Sequence, residues 1–175
     1  GRLIANKIVS YRNKKPIKTS RELASIINEA KRNYNNYKKN VATKTFQAIR
    51  IFVNQELTEL IIGLIEATQL LSKGGILAVI SFHSIEDRIV KNFFNLYSNL
   101  NKNPSRYLPI QKNKYSLFKL LSKKPLIPNK KEILKNFRSR SAKLRYAVRN
   151  NNSFFFPDEF KKKFENYFNI EGIKI

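Results

Sequence analysis

The sequence predicts an α/β fold, the carboxyl-terminal half of a doubly wound sheet, and three observations carry that prediction. Gly74 to Arg88 reads as helix stop, buried strand, polar loop and helix start. A long amphipathic stretch precedes it, and Ala142 to Val148 alternates with the period-two pattern of a strand. Gly1, Gly63, Gly74, Gly75 and Gly172 are the only glycines, so no glycine-rich nucleotide loop precedes a strand. The half of such a sheet that normally holds a nucleotide cofactor is therefore expected to be missing. Gly1 in first place and the absence of Met point the same way, to a fragment or a processed product.

Each element follows from its local pattern. Leu3, Ile4, Ile8 and Val9 recur at helical spacing from Arg2 to Arg12, and Lys14-Lys15-Pro16 interrupts them. Thr19 or Ser20 caps a second helix that carries Leu23, Ile26 and Ile27 on one face. Lys31 to Asn40 is polar and reads as an exposed connection. Phe46, Ile49, Val53, Leu57, Leu60 and Leu64 predict one long helix from about Thr43 to Leu71, with Gly74 as its C-cap.

Ile76 to Phe82 is apolar except for Ser81, as in a parallel strand covered on both faces. Ser84 with Asp87 has the spacing of a capping box, which starts the next helix at Ile85 and runs it to about Tyr97. Ser81, Phe82, His83 and Ser84 then lie beyond the carboxyl end of a strand, where open α/β sheets bind ligands. A plain, well-capped strand-to-helix connection fits the same pattern. Phe118 to Leu121 reads as a short strand and Pro128 to Asn136 as a short helix. In the last strand, Ala142, Leu144, Tyr146 and Val148 oppose a wetter Lys143, Arg145 and Ala147, which suggests a position near a sheet edge. The tail, residues 151–175, opens with Phe154-Phe155-Phe156-Pro157 and continues as a basic amphipathic stretch. It either caps the domain or lies against a partner.

The 175 residues suffice for one domain with a real core. With no Cys and His83 as the sole histidine, disulfides and thiolate sites are excluded and an all-protein zinc or iron site is disfavoured. No apolar run approaches the ~20 residues of a membrane span, and no signal peptide is evident. The formal charge of +23 points to a polyanionic partner, although AT-rich coding alone enriches Lys and Asn. Its distribution says more than its total. From Arg88 to Asn150, 17 Lys and Arg stand against one acid, Glu132, with Tyr97, Tyr107, Tyr115, Phe118 and Phe137 interleaved. Such a stretch suits phosphates, with rings free to stack on unpaired bases, or else forms a solvated basic surface.

Three blocks carry a resemblance. They are Ala42-Thr43-Lys44-Thr45-Phe46-Gln47-Ala48-Ile49-Arg50-Ile51 with Val53-Asn54 and Glu56-Leu57, then Ser81-Phe82-His83-Ser84-Ile85-Glu86-Asp87-Arg88-Ile89-Val90-Lys91, and finally Arg138-Ser139-Arg140-Ser141-Ala142-Lys143-Leu144-Arg145. In this order they resemble the RsmH (MraW) family of bacterial methyltransferases. That family uses S-adenosylmethionine to methylate the N4 amine of one cytosine in small-subunit (16S) ribosomal RNA. The resemblance runs from Arg2 to Arg149. Asn40-Val41 replaces a usual His-Pro, and Phe137 stands where Pro is common.

The resemblance implies that residues 1–42 belong to an inserted helical domain and residues 43–150 to the carboxyl-terminal half of a Rossmann-like methyltransferase domain. The family's glycine-rich cofactor loop, ribose-binding acid and Asp-Leu-Gly-Val-Ser-Ser-type segment have no counterpart here. The chain alone is thus expected neither to hold S-adenosyl-L-methionine properly nor to turn over. Ser81, Phe82, His83 and Ser84 would line the substrate side of the pocket. His83 would take a proton directly or through water, or would hold the loop as a structural histidine. Arg50 and Asn54 would reach RNA or fix the inserted domain, and Arg138, Arg140, Lys143 and Arg145 would contact RNA phosphates or form a solvated edge cluster. The implied partner is small-subunit ribosomal RNA or the assembled subunit, with no metal and no membrane, in the bacterial cytoplasm or a mitochondrion. A non-catalytic RNA-binding module and a methyltransferase for another nucleic acid are the rival readings.

Overall fold

A computed structural model describes residues 1–31, 41–98, 116–156 and 158–172. The chain divides into two compact units, Gly1–Glu56 and Leu57–Ile175. The connection expected at Lys31 to Asn40 lies almost wholly outside the described residues, as do Tyr107 and Tyr115.

The first unit is helical, with α1 (Arg2–Arg12), α2 (Ser20–Ala30) and α3 (Val41–Val53). Of the two expected caps for α2, Thr19 is the one used. Its hydroxyl accepts from the Glu22 N–H at 3.1 Å, and the Glu22 carboxylate accepts in return from the N–H groups of Thr19 and Lys18. This reciprocal box satisfies donors that a helix start leaves open. Ile4, Ile27 and Ala42 form the buried centre, with Ile8, Leu23 and Phe46 packed around it.

The single long helix expected from Thr43 is in fact two, α3 and α4 (Glu56–Leu70). Gln55 between them has φ 53°, a left-handed conformation through which a right-handed helix cannot continue. Arg50 fixes the break: its Nε and Nη2 donate to the Glu56 carboxylate at 2.7 and 3.0 Å, and Asn54 Nδ2 donates to it at 3.2 Å. A carboxylate held at the first residue of α4 also favours that helix start. The apolar spacing runs through the turn undisturbed, so periodicity could not reveal it.

The second unit is a mixed α/β structure. Its strands β1 (Ile76–Ser81), β2 (Phe118–Leu120) and β3 (Lys143–Arg149) form a sheet in the order β1-β3-β2, with both pairs antiparallel. The helices are α5 (Ser84–Tyr97), α6 (Lys130–Lys135), α7 (Asp158–Lys163) and α8 (Glu165–Glu171), with a 3₁₀ turn at Phe137–Ser141. Among the described residues β1 is therefore not the parallel, doubly covered strand expected. Its neighbour runs antiparallel, and Ile76 and Ile80 are exposed. An apolar run reports how greasy a strand is, not the direction of its neighbour.

The two faces of β3 are also the reverse of the expectation. Ser81 pairs with Lys143, Val79 with Arg145 and Leu77 with Ala147, so these six residues share a face. That face carries α5, because Asp87 accepts from Lys143 Nζ at 3.0 Å and from Arg145 Nε at 2.7 Å. Ala147 and Arg149 are buried there. The Ile76, Ala78 and Ile80 row, paired with Val148, Tyr146 and Leu144, is the more open side. β3 is the middle strand, and Asp87 supplies the countercharge that lets Lys143 and Arg145 sit in it.

The core of this unit is aromatic. Phe93 and Phe94 of α5 meet Phe118 edge-on at 5.9 and 5.6 Å between ring centres, a favoured arrangement of ring quadrupoles. The tail completes the core. Phe160 lies 4.9 Å from Phe93, and its N–H donates to the Tyr97 hydroxyl at 3.2 Å. Phe164 and Phe168 are buried as well. Polar ties surround them: Lys163 to Asn92, Arg88 to Tyr167, and the Thr58 hydroxyl to the Glu171 carboxylate. Of the two roles open to the tail, these contacts are those of a cap on the domain.

Candidate functional site

The loop after β1 is organised one residue earlier than the capping-box spacing suggested. His83, not Ser84, is the N-cap of α5, and Glu86, not Asp87, is its partner. Imidazole Nδ1 serves in place of a cap oxygen, accepting from the Glu86 N–H at 3.3 Å. The Glu86 carboxylate accepts from the N–H groups of Phe82 at 2.8 Å and His83 at 3.2 Å. Asp87 is thereby left free to turn toward β3. Burial pushes the Asp87 carboxyl up, but the hydrogen bonds and charges of Arg145 and Lys143 outweigh it and hold its pKa below the usual carboxylate value.

An Nδ1 that accepts a hydrogen bond is unprotonated, so hydrogen-bond logic places the neutral ring's proton on Nε2. Nε2 is buried and lies 3.1 Å from the Glu86 carboxylate, yet the geometry is not that of a hydrogen bond and no other described residue supplies one. In this tautomer His83 is a donor at Nε2. To take a proton at Nε2 it would have to surrender its cap. Around it, Ser81 is buried with its hydroxyl turned to the Lys143 carbonyl at 3.4 Å, whereas Phe82 and Ser84 are exposed. Two residues thus hold the loop and two face outward.

The cap makes a direct prediction. His83→Ala should destabilise the second unit by ~1 kcal/mol, the usual cost of a lost N-cap, and His83→Asn should recover most of it. Urea unfolding of the three proteins decides it. Equal stability of the Ala and wild-type chains would show that the cap contributes nothing.

The candidate RNA-binding residues separate in the same way. Arg145 is nearly buried and held at two points, with Nε on Asp87 and Nη1 on the Lys123 carbonyl at 3.1 Å. Lys143 shares Asp87 but stays partly exposed. Arg138 and Arg140 are exposed and form no ion pair among the described residues. Arg50 and Asn54 both hold Glu56, and Arg50 also borders an open groove of about 540 Å³ lined by Ala24, Ala42, Thr43, Phe46 and Gln47. Arg149, another of the basic residues, is buried and donates from Nη1 to the Leu117 and Asn150 carbonyls, and burial lowers its pKa. Sequence reasoning missed Glu86 and Asp87 as organisers. The available signal was two adjacent acids three and four residues after the histidine, with cations in a later strand that needed a countercharge.

Known proteins resemble most of this chain. A family model described as the MraW methylase family matches residues 1–150. The chain is 49% identical over 148 residues to the ribosomal RNA small subunit methyltransferase H of Oenococcus oeni, covering 84% of this chain and 47% of that protein. It is 49% identical over 148 residues to the protein of the same name from Ehrlichia chaffeensis, covering 85% and 47%. For the Nitrobacter hamburgensis protein the identity is 45% over 148 residues, covering 85% and 44%. The chain thus spans about half the length of the curated relatives it matches.

Proposed function

The chain belongs to the MraW methylase family, and from that premise we propose that it forms the carboxyl-terminal part of an S-adenosylmethionine-dependent rRNA methyltransferase. The proposed substrate is the N4 amine of a cytosine in small-subunit 16S ribosomal RNA, which puts the work in the bacterial cytoplasm. One observation carries the reading: the Ser81–Arg88 block forms a capped strand-to-helix turn at the carboxyl end of β1, with Phe82 and Ser84 turned outward. The three relatives described above, which share this chain's residues at 45–49% identity, are named as ribosomal RNA small subunit methyltransferases.

The chemistry asked of such a loop is mostly positioning. The amine of cytosine is a poor nucleophile, since its lone pair is delocalised into the ring, and the base must be unpaired to be reached. The exposed Phe82 ring suits the face of a flipped base, and the Ser84 hydroxyl can accept from its amine. His83 offers a proton donor at Nε2 while its Nδ1 caps α5, and Glu86 holds the Phe82 and His83 N–H groups. When bound, S-adenosylmethionine supplies the methyl group as a sulfonium. The described residues do not fit that cofactor by themselves. The glycine pair Gly74-Gly75 lies at the amino end of β1, and a Cβ on Gly75 would meet Leu71 and the Ser72 carbonyl, so that close approach serves the protein's own packing. We place the cofactor's cradle in the part of the relatives that this chain does not span.

We read the sheet as the carboxyl-terminal part of a doubly wound sheet, and the first unit as belonging to an inserted helical domain. β1 and β2 are each antiparallel to β3 and hence parallel to one another. The open apolar row of Ile76, Ile80, Leu144, Tyr146 and Val148 suits cover by further helices.

Disruption of the gene should remove one N4-methylcytosine from small-subunit ribosomal RNA, read by mass spectrometry of nuclease fragments, and the intact gene should restore it. Retention of every N4-methylcytosine in that RNA would overturn the substrate assignment, and loss from DNA instead would favour the rival methyltransferase reading. Complementation with the His83 variants then assigns the histidine. If the Nε2 donor matters, His83→Ala and His83→Asn should both lower turnover ~100-fold. If only the cap matters, His83→Asn should retain near wild-type activity.

A further inference from the structure

We propose that Phe137 and Arg140 form a prebuilt platform on which one unpaired base of an RNA strand stacks, while the neighbouring cations hold its phosphates. This rests on the RNA-substrate reading above and names a second element that would grip the strand, at the same end of the sheet as the loop after β1, since Ser81 pairs with Lys143 just after the turn. Phe137 is 68% exposed, the most of the exposed phenylalanines among the described residues, and stands in a turn fixed at both ends. The fixing is visible. Asn136 Oδ1 accepts from the Arg138 N–H at 3.1 Å, the buried Ser139 donates its hydroxyl to the Asn136 carbonyl at 2.8 Å, and the Ala142 N–H donates to the Ser139 carbonyl at 2.8 Å before β3 begins. The Arg140 guanidinium lies 4.3 Å from the centre of the Phe137 ring, and its Nη1 donates to the Phe137 carbonyl at 3.3 Å. One ring face is therefore under a cation, and an exposure of 68% leaves most of the residue open to a further ligand.

The surroundings decide what that open surface suits. Lys130, Lys131, Lys135 and Arg138 are exposed on α6 and the turn, with Glu132 the single acid of that stretch. An apolar protein partner covering Phe137 would have to strip water from this whole group of cations. A single strand of RNA presents flat bases and phosphates together, so one ligand satisfies both the ring and the charges.

The test uses the full 175-residue chain and two fluorescent probes of equal phosphate count, a short oligouridylate and a matching strand without bases. Fluorescence anisotropy in low salt should show Phe137→Ala binding the oligouridylate about 5- to 150-fold more weakly, the range for losing one base–aromatic stack. The same variant should bind the baseless strand as the wild type does, and Phe137→Trp should restore oligouridylate binding. Arg140→Ala should weaken both probes and flatten the salt dependence of binding. Since Phe137 is exposed, the variants should melt with the wild type. Unchanged oligouridylate affinity in Phe137→Ala, or equal losses on both probes, would overturn the platform while leaving the function intact. Failure of the wild-type chain to bind either probe would overturn the RNA reading, and the platform with it.

Discussion

Phe160→Ala is expected to destabilise the second unit by about 3–5 kcal/mol, the range for deleting a buried phenylalanine, and to lower its melting temperature by on the order of 10 °C. The side chain is fully buried against Phe93, Tyr97 and Phe164, so its loss leaves a cavity that its ring neighbours can refill only by shifting. The backbone N–H to Tyr97 survives the substitution, which isolates the packing loss. Burial pushes the Tyr97 hydroxyl up to about 12, partly opposed by the Phe160 N–H, so that hydroxyl stays neutral in any ordinary buffer. Phe156→Ala, at a half-exposed position of the same tail, is the control and should change little. Near-ultraviolet circular dichroism during heating reads the aromatic core directly. A Phe160→Ala chain as stable as the control would mean that the tail merely rests on the surface.

Asp87→Asn should be the second large effect, roughly 2–4 kcal/mol. Removing one partner of a buried ion pair leaves the other charge stranded, and the lower end applies because Lys143 keeps 40% of its side-chain exposure and can turn to water. Arg145 has no such escape, at 11% exposure beneath α5. The linkage has a definite sign. Asp87 binds its proton more weakly in the folded chain than in the unfolded chain, so the stability it contributes is present in full above the unfolded value, near pH 4. It is lost as the pH falls through the lower, folded value. Urea midpoints measured from pH 6 downward should therefore converge for wild type and Asp87→Asn in acid. A gap that stays constant to pH 2 would show that the charge of Asp87 is not what stabilises the sheet.

What could be read from the sequence and what could not divide along physical lines. The strand at Ile76, the helix that follows it and the short helix near Lys130 are local events, announced by apolar runs and caps within a few residues, and the structure has all of them. The sheet faces are not local. Lys143 and Arg145 look like a solvated row until Asp87, far away in the chain, is known to lie over them. The break at Gln55 hides for another reason: it is made by one backbone angle and a bidentate ion pair, neither of which disturbs the apolar spacing. At the site, the turn from β1 into α5 was legible as a place. The identity of its cap was not, because histidine in that role escapes a pattern written for serine, threonine and aspartate.

The tail's place in the core also sets a clock during synthesis. Tyr97 and Phe160 are 63 residues apart, so a ribosome adding about 5–20 residues per second leaves the part of α5 that Phe160 covers open for roughly 3–13 s after that helix emerges. Hydrophobic collapse takes microseconds, so throughout that interval the sides of Phe93 and Tyr97 that Phe160 covers are available to any sticky neighbour. The nascent chain is then most dependent on chaperones, or on its own strong positive charge, to stay apart from its copies.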